Sequence, residues 1–225
     1  MEKIVFLAVM VSACFAVPQD LSGKVFVFPK ENNKDHVKLL TTKSVFSSYT
    51  VCLRFFTDLS RTYSLLSMAI PSGSNAIVLY KFDPKAIRIH TLEPAADFLS
   101  MPFQVNTWHS LCVTWESNKG LSQVWLDGKP SVKKFIVSGA PINGKPITVL
   151  GQEQDSYGGG FDAAQSFVGM ISDVHMWDHV LPPTEIKSYM NHKHVTAGNV
   201  FSWRSLQYEI VRNHCYIQMI LEQMW

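Results

Sequence analysis

The apolar positions of this chain fall in short runs separated by turn-forming residues. Lys24-Val25-Phe26-Val27-Phe28 is a β run stopped by Pro29, and Asn32 to His36 forms a polar turn. Tyr49 to Phe56 is rich in β-branched and aromatic residues and predicts a core strand. Tyr63 to Ile70 and Ala76 to Phe82 predict two more, separated by the turn cluster Pro71-Ser72-Gly73-Ser74-Asn75. Ala86 to His90 alternates, as a half-buried strand does. Trp108 to Trp115 alternates too, with His109, Leu111, Val113 and Trp115 on one face and Trp108, Ser110, Cys112 and Thr114 on the other. Gln123 to Leu126 leads into Asp127-Gly128, a strong hairpin signal. Pro146 to Leu150 and Phe167 to Trp177 complete the series. Thr184 to Met190 is the one good helix, with Pro183 at its start and a cap position, Pro182, that has no side-chain oxygen.

Many short strands with one short helix predict an all-β sandwich or jelly roll. No internal repeat, linker or low-complexity segment interrupts the chain. Its 225 residues therefore read as a leader, residues 1–16, and one domain, residues 17–225. Met1-Glu2-Lys3, the apolar run Ile4 to Val11 and Ser12-Ala13-Cys14-Phe15-Ala16 predict a secretory signal peptide, with cleavage after residue 16 or extending to 18. The run is too short to span a bilayer, so the expected product is secreted and extracellular, without a transmembrane segment. A formal charge of +2, with no run of Lys and Arg, argues against nucleic-acid binding.

Loss of the leader removes Cys14 and leaves Cys52, Cys112 and Cys215. An odd count in an oxidising compartment implies a disulfide plus a spare thiol, or a bond between chains. Cys52 and Cys112 both lie in strand-like runs and form the natural pair, with Cys215 the candidate spare. Closing a loop of that length stabilises by roughly 4 kcal/mol on the chain-entropy view.

One stretch stands apart chemically. Residues 152–165, Gln-Glu-Gln-Asp-Ser-Tyr-Gly-Gly-Gly-Phe-Asp-Ala-Ala-Gln, carry three carboxylates and several amide oxygens around a triple glycine. Oxygen-only ligands on a bendable loop suit calcium, which accepts six to eight oxygens in a tolerant geometry. Glu153 and Asp155 project to one side of an extended segment, and the glycines let Asp162 and Gln165 fold back toward them. The pattern is not that of an EF-hand. An acidic surface loop with a glycine turn is the plainer reading of the same residues.

His109-Ser110-Leu111-Cys112-Val113-Thr114-Trp115-Glu116-Ser117 resembles the pentraxin signature His-x-Cys-x-Ser/Thr-Trp-x-Ser. Residues 150–156 and 167–171 are similar to that family's calcium loop and the strand after it, and residues 24–30, 125–130 and 176–178 also fit. The resemblance runs from about Asp20 to Tyr208 and is that of a short pentraxin of the C-reactive protein and serum amyloid P group. It implies a flattened, lectin-like two-sheet jelly roll, a disulfide at Cys52–Cys112, and usually a ring of five subunits. It implies two calcium ions on one face. Asn75, Glu153, the main-chain carbonyl of Gln154 and Asp155 would hold one; Glu153, Asp155, Asp162 and Gln165 would hold the other. Ser74 stands where the family usually has Asp, so it is doubtful as a ligand, and weaker calcium binding than in better-known relatives is expected.

The function implied is calcium-dependent recognition of phosphocholine-like, phosphoethanolamine-like or acidic glycan groups, in innate defence or debris clearance. Avidity would come from the ring, and complement-type proteins are further candidate partners. Tyr80 matches the aromatic that flanks the ligand and could hold a methylammonium group by cation–π attraction. The acidic residue that contacts choline nitrogen in some members has no secure counterpart. Glu93 is nearby, but Pro84, Pro94 and a length change interrupt the match.

No catalytic residue is predicted. Glu153-x-Asp155 begins the pattern of some jelly-roll glycosidases, but no second carboxylate follows on the strand. His192-x-His194 lacks a third zinc ligand at useful spacing. His175 and His179 read as surface positions, and His109 as structural. A laminin-G-like module is the remaining alternative. The tail from Arg212 to Trp225 reads either as a terminal strand or as an interface in which Cys215 bonds another chain.

Overall fold

The computed structural model describes residues 17–193, 195–211 and 214–219. The leader, residues 1–16, lies outside them, as does His194. Strands run in chain order as β1 (Lys24–Phe28), β2 (His36–Leu39), β3 (Val45–Phe46), β4 (Ser48–Phe56), β5 (Tyr63–Ile70), β6 (Gly73–Asp83), β7 (Ala86–Thr91), β8 (Ala95–Leu99) and β9 (His109–Glu116). They continue as β10 (Leu121–Leu126), β11 (Lys129–Pro130), β12 (Lys134–Phe135), β13 (Ile142–Asn143), β14 (Ile147–Leu150), β15 (Gly169–Trp177), β16 (Tyr208–Val211) and β17 (Tyr216–Met219). One helix, α1 (Pro183–Met190), lies between β15 and β16, and its Pro182 cap makes no side-chain bond.

Two antiparallel sheets form a jelly-roll sandwich. The first has the order β11-β10-β9-β4-β15-β1-β17, with β12 also on β10; the second has the order β16-β2-β14-β5-β6-β7-β8. One core draws on both. Val51, Leu53, Phe55, Leu111, Val113 and Trp115 face Val37, Leu66, Met68, Ile77, Leu79 and Ile89 across it. The alternation read in β9 therefore holds: its apolar face enters this core. Cys112, on its other face, joins Cys52, Trp125, Trp177, Ile186 and Tyr189 in a smaller cluster that α1 covers. Cys52 and Cys112 are cross-strand partners on β4 and β9 and form the disulfide.

The sequence reading differs from the structure at several points. The turn cluster 71–75 shrinks to Pro71-Ser72, because Gly73 already pairs with Ile70 and begins β6. The polar turn ends one residue early, since His36 opens β2. His175 is not a surface residue. It is buried, stacked on Trp177 with ring centroids 5.6 Å apart and packed edge-on against Tyr189. It lies on the outer face of β15 with Trp177, and α1 covers that face with Ile186 and Tyr189. Part of the tail forms β17, which pairs with β1, and Cys215 is a buried free thiol. Residues 212–213 and 220–225 lie outside the described residues.

Candidate functional site

Residues 152–165 leave β14 at its end and cross the outer face of the second sheet. Ser64, Ser67, Val78 and Tyr80 share that face, because their partners in register alternate with the core-facing Leu66, Met68, Ile77 and Leu79. The loop is anchored there by Gln154. Its main-chain N–H donates to Ser67 Oγ at 3.1 Å, and its side-chain amide donates to Ser67 O and to Ile147 O, each at 3.0 Å. Its Oε1 accepts from Gly158 N at 3.0 Å. Gln152 ties the loop to the opposite side, donating to the carbonyls of Asn32 and Asp35.

The neck of the loop requires glycine at both ends. Gly151 has φ +86°, and a Cβ there would meet the Phe28 ring at 2.4 Å. Gly169 has φ +139°, and a Cβ would lie 2.2 Å from Phe56 O. Phe167 N closes the neck on Gly151 O at 2.9 Å. Inside it, Ser156 and Gly159 exchange main-chain bonds in a tight turn. Asp162 then caps a 3₁₀ turn, Ala163–Gln165, by accepting from Ala164 N at 3.0 Å. Arg61 donates to the carbonyls of Ala164 and Ser166. Phe161 packs on His36 with centroids 4.9 Å apart.

The predicted ligand residues sit differently within this frame. Asp155 and Asp162 are exposed, whereas Gln154 is fully buried. Glu153 is only 7% exposed. Burial, and then the negative charges of Asp155 and Glu93, push its carboxyl up to about 7. Its Oε2 is buried and accepts no hydrogen bond from any described residue, and Gln165 Oε1 is in the same position. Buried acceptors are almost always satisfied, so these two oxygens lack a partner that a cation would supply. Among the described residues no three His, Cys, Asp or Glu side chains form a ready-made cation cage. Any ion here must draw on amide and carbonyl oxygens as well as carboxylates, which is calcium chemistry rather than zinc chemistry.

Asn75 lies at the start of β6 and meets Glu93, a residue the sequence reading had not joined to this set. Its Nδ2 donates to Glu93 Oε2 at 2.8 Å and its main-chain N–H to Oε1 at 2.9 Å. Ser74 offers only a hydroxyl, 3.4 Å from Asn75 Nδ2. Tyr80 is half-buried on the face that carries the loop, opposite Arg88, whose guanidinium is bonded to Asp97. His109 is held at both ring nitrogens, by Asp127 at 2.7 Å and Gln104 O at 2.9 Å, and braces the strand end.

A two-sheet jelly roll with an oxygen-lined loop on the outer face of one sheet is the class of structure present. A family model described as the Pentaxin family matches residues 24–218, and the chain belongs to the pentraxin family. It is 41% identical over 214 residues to the serum amyloid P-component of Homo sapiens, covering 93% of this chain and 94% of that one. It is 41% identical over 219 residues to the C-reactive protein of Sus scrofa, covering 93% and 95%. Among solved structures it resembles a native heptameric SAP-like pentraxin from Limulus polyphemus, with TM-score 0.81 and 22% identity, over 89% of this chain and 96% of that one. It also resembles domains LG4-5 of the mouse laminin α1 chain, with TM-score 0.53 and 16% identity, over 75% and 45%. These last two likenesses concern the fold alone. No described helix is long and apolar enough to cross a membrane.

Proposed function

We propose that this pentraxin is a secreted, calcium-dependent binding protein for phosphate-bearing or other anionic groups, with Asn75, Glu153, Gln154, Asp155, Asp162 and Gln165 as ion ligands. The observation that carries the reading is the buried, unpartnered Oε2 of Glu153, with the unpartnered Oε1 of Gln165 in the same loop. A divalent ion would satisfy both oxygens and reverse the repulsion between Glu153 and Asp155. Two ions per subunit would share Glu153 and Asp155 and leave coordination positions open for ligand or water oxygens.

Bound calcium would supply open coordination positions for two oxygens of one phosphate. The protein's own residues do the rest. Gln154, fixed on Ser67, holds the loop against the sheet. Asp162 caps the turn that presents Gln165. Tyr80 stands on the same sheet face as an aromatic wall for the ligand's organic part, worth roughly 0.5–2 kcal/mol toward a methylammonium. Assembly into a ring would place several weak sites on one face and convert them to avidity. The exposed Leu99 and Val132, which line a cavity of about 460 Å³ with Met101 and Pro130, are an apolar surface suited to subunit contact.

The test is retention on phosphoethanolamine resin in calcium and release by chelator, with native mass measurement of the assembly. Retention by wild type, lost in Glu153→Gln, supports the proposal. Equal retention in chelator sinks it, and glycan hydrolysis without calcium would favour an enzyme instead.

A further inference from the structure

The ion site proposed above lacks the acid that pentraxins usually carry at position 74. Ser74 cannot replace that charge. The structure places another carboxylate beside Asn75 from a different strand connection. Leu92 and Glu93 lie between β7 and β8, with φ +50° and +77°. This backbone course turns Glu93 toward the start of β6. Glu93 N donates to Asn75 O at 3.1 Å, and Leu92 N donates to Ala76 O at 3.2 Å. The carboxylate then spans Asn75, taking its main-chain N–H on Oε1 and its amide on Oε2. Gly73 makes the approach possible, because a Cβ there would lie 2.4 Å from Glu93 Oε1.

Hydrogen bonds of this kind brace a turn and do not alone define an ion site. The independent sign is Glu153. Its Oε2 is buried and unpartnered, and Glu93 is close enough for its charge to act on it. Glu93, held on Asn75, thus adds its charge to the field that already opposes ionisation of Glu153. An Asn beside a carboxylate must present its N–H₂, since a carboxylate only accepts. That orientation turns the other end of the amide, Oδ1, away from Glu93, where it can serve a cation.

We infer that Glu93 is a calcium ligand of this chain, supplying from the β7–β8 connection the negative charge that Ser74 does not. The inference rests on the calcium reading of the loop. With Glu93 included, Glu93, Glu153, Asp155 and Asp162 balance the charge of two calcium ions. Affinity then depends on a connection outside the acidic loop.

The test is calorimetric titration of calcium into the chelator-stripped, full-length secreted protein, with thermal melts in chelator as a second readout. Glu93→Gln keeps the shape and hydrogen-bonding reach of the side chain but removes its charge. It is expected to weaken calcium binding about tenfold or more, or to abolish one of the two binding heats, since affinity follows ligand charge. Adding Ser74→Asp to Glu93→Gln is expected to restore most of the loss. Wild-type affinity in Glu93→Gln, within about twofold, overturns the role of Glu93 and leaves the proposed function standing. A lower melting temperature in chelator, with no recovery of calcium affinity on adding Ser74→Asp, shows a turn brace only and also overturns it. Absence of calcium heat in wild type overturns both readings.

Discussion

Gln154 and Ser67 are joined by three hydrogen bonds: Ser67 Oγ accepts from the main-chain N–H of Gln154, and Ser67 O and, at 3.4 Å, Oγ accept from its side-chain amide. Both residues are fully buried. This pair converts a flexible glycine-containing segment into a part of the second sheet's outer face. Gln154→Ala removes the bonds to Ser67 O and Ile147 O and the acceptor for Gly158 N. Loss of buried partners costs about 1–3 kcal/mol. The variant is expected to melt lower in chelator and to exchange the Gly158 amide proton faster. Unchanged exchange at Gly158 would show that the loop holds its shape without this anchor.

The triple glycine is not uniform. Gly158 and Gly160 have φ +84° and +76°, while Gly159 does not enter the left-handed region. A Cβ at Gly160 would also lie 2.9 Å from Asp155 Cβ, and at Gly159 the nearest atom is Ser156 Oγ at 3.5 Å. Gly160→Ala should therefore cost about 1–2 kcal/mol in stability and weaken calcium binding, because Asp155 must shift. Gly159→Ala should be close to neutral. Chemical denaturation of the two variants decides the matter, and equal losses would refute the distinction.

The contrast explains what could be seen in the sequence. The alternation in β9 was legible because one face, Leu111, Val113 and Trp115, enters the main core while the other carries the polar Ser110 and Thr114. The loop's chemistry was legible because carboxylates and glycines carry it by type. The position of Glu93 was not. It depends on two successive non-glycine residues in left-handed backbone, which no side-chain pattern signals. His175 reads as a surface residue because nothing in its own strand signals that α1 packs over that outer face. β2 was missed because four residues with two apolar positions become a strand only through pairing with β14 and β16.

Cys215 is 6% exposed, and burial together with the charge of Asp35 pushes its thiol up to about 12. The thiolate is the reactive form, so native protein at pH 8 should resist alkylation by iodoacetamide and react fully once unfolded in urea. A non-reducing gel should show no dimer linked through Cys215. Rapid native alkylation, or such a dimer, would revive the reading in which the tail bonds another chain.

His175 gives the chain an acid sensitivity distinct from its carboxylates. Burial, and then the positive charges of Arg204 and Arg54, hold its imidazole down at about 4. In the unfolded chain it titrates near 6.5. Between those values the unfolded state binds the extra proton, so this residue favours folding above pH 6.5 and loses that contribution as pH falls toward 4. The full difference corresponds to about 3 kcal/mol. His175→Phe keeps a ring against Trp177 and Tyr189 but has nothing to titrate. Urea unfolding of both proteins in chelator, at intervals from pH 7 to pH 4.5, isolates the effect. Wild type should lose stability relative to His175→Phe across that range, and the gap should widen steadily below pH 6.5. Parallel curves would mean that the imidazole takes up its proton in the folded state as readily as in the unfolded one, and that burial beside Trp177 does not keep it neutral.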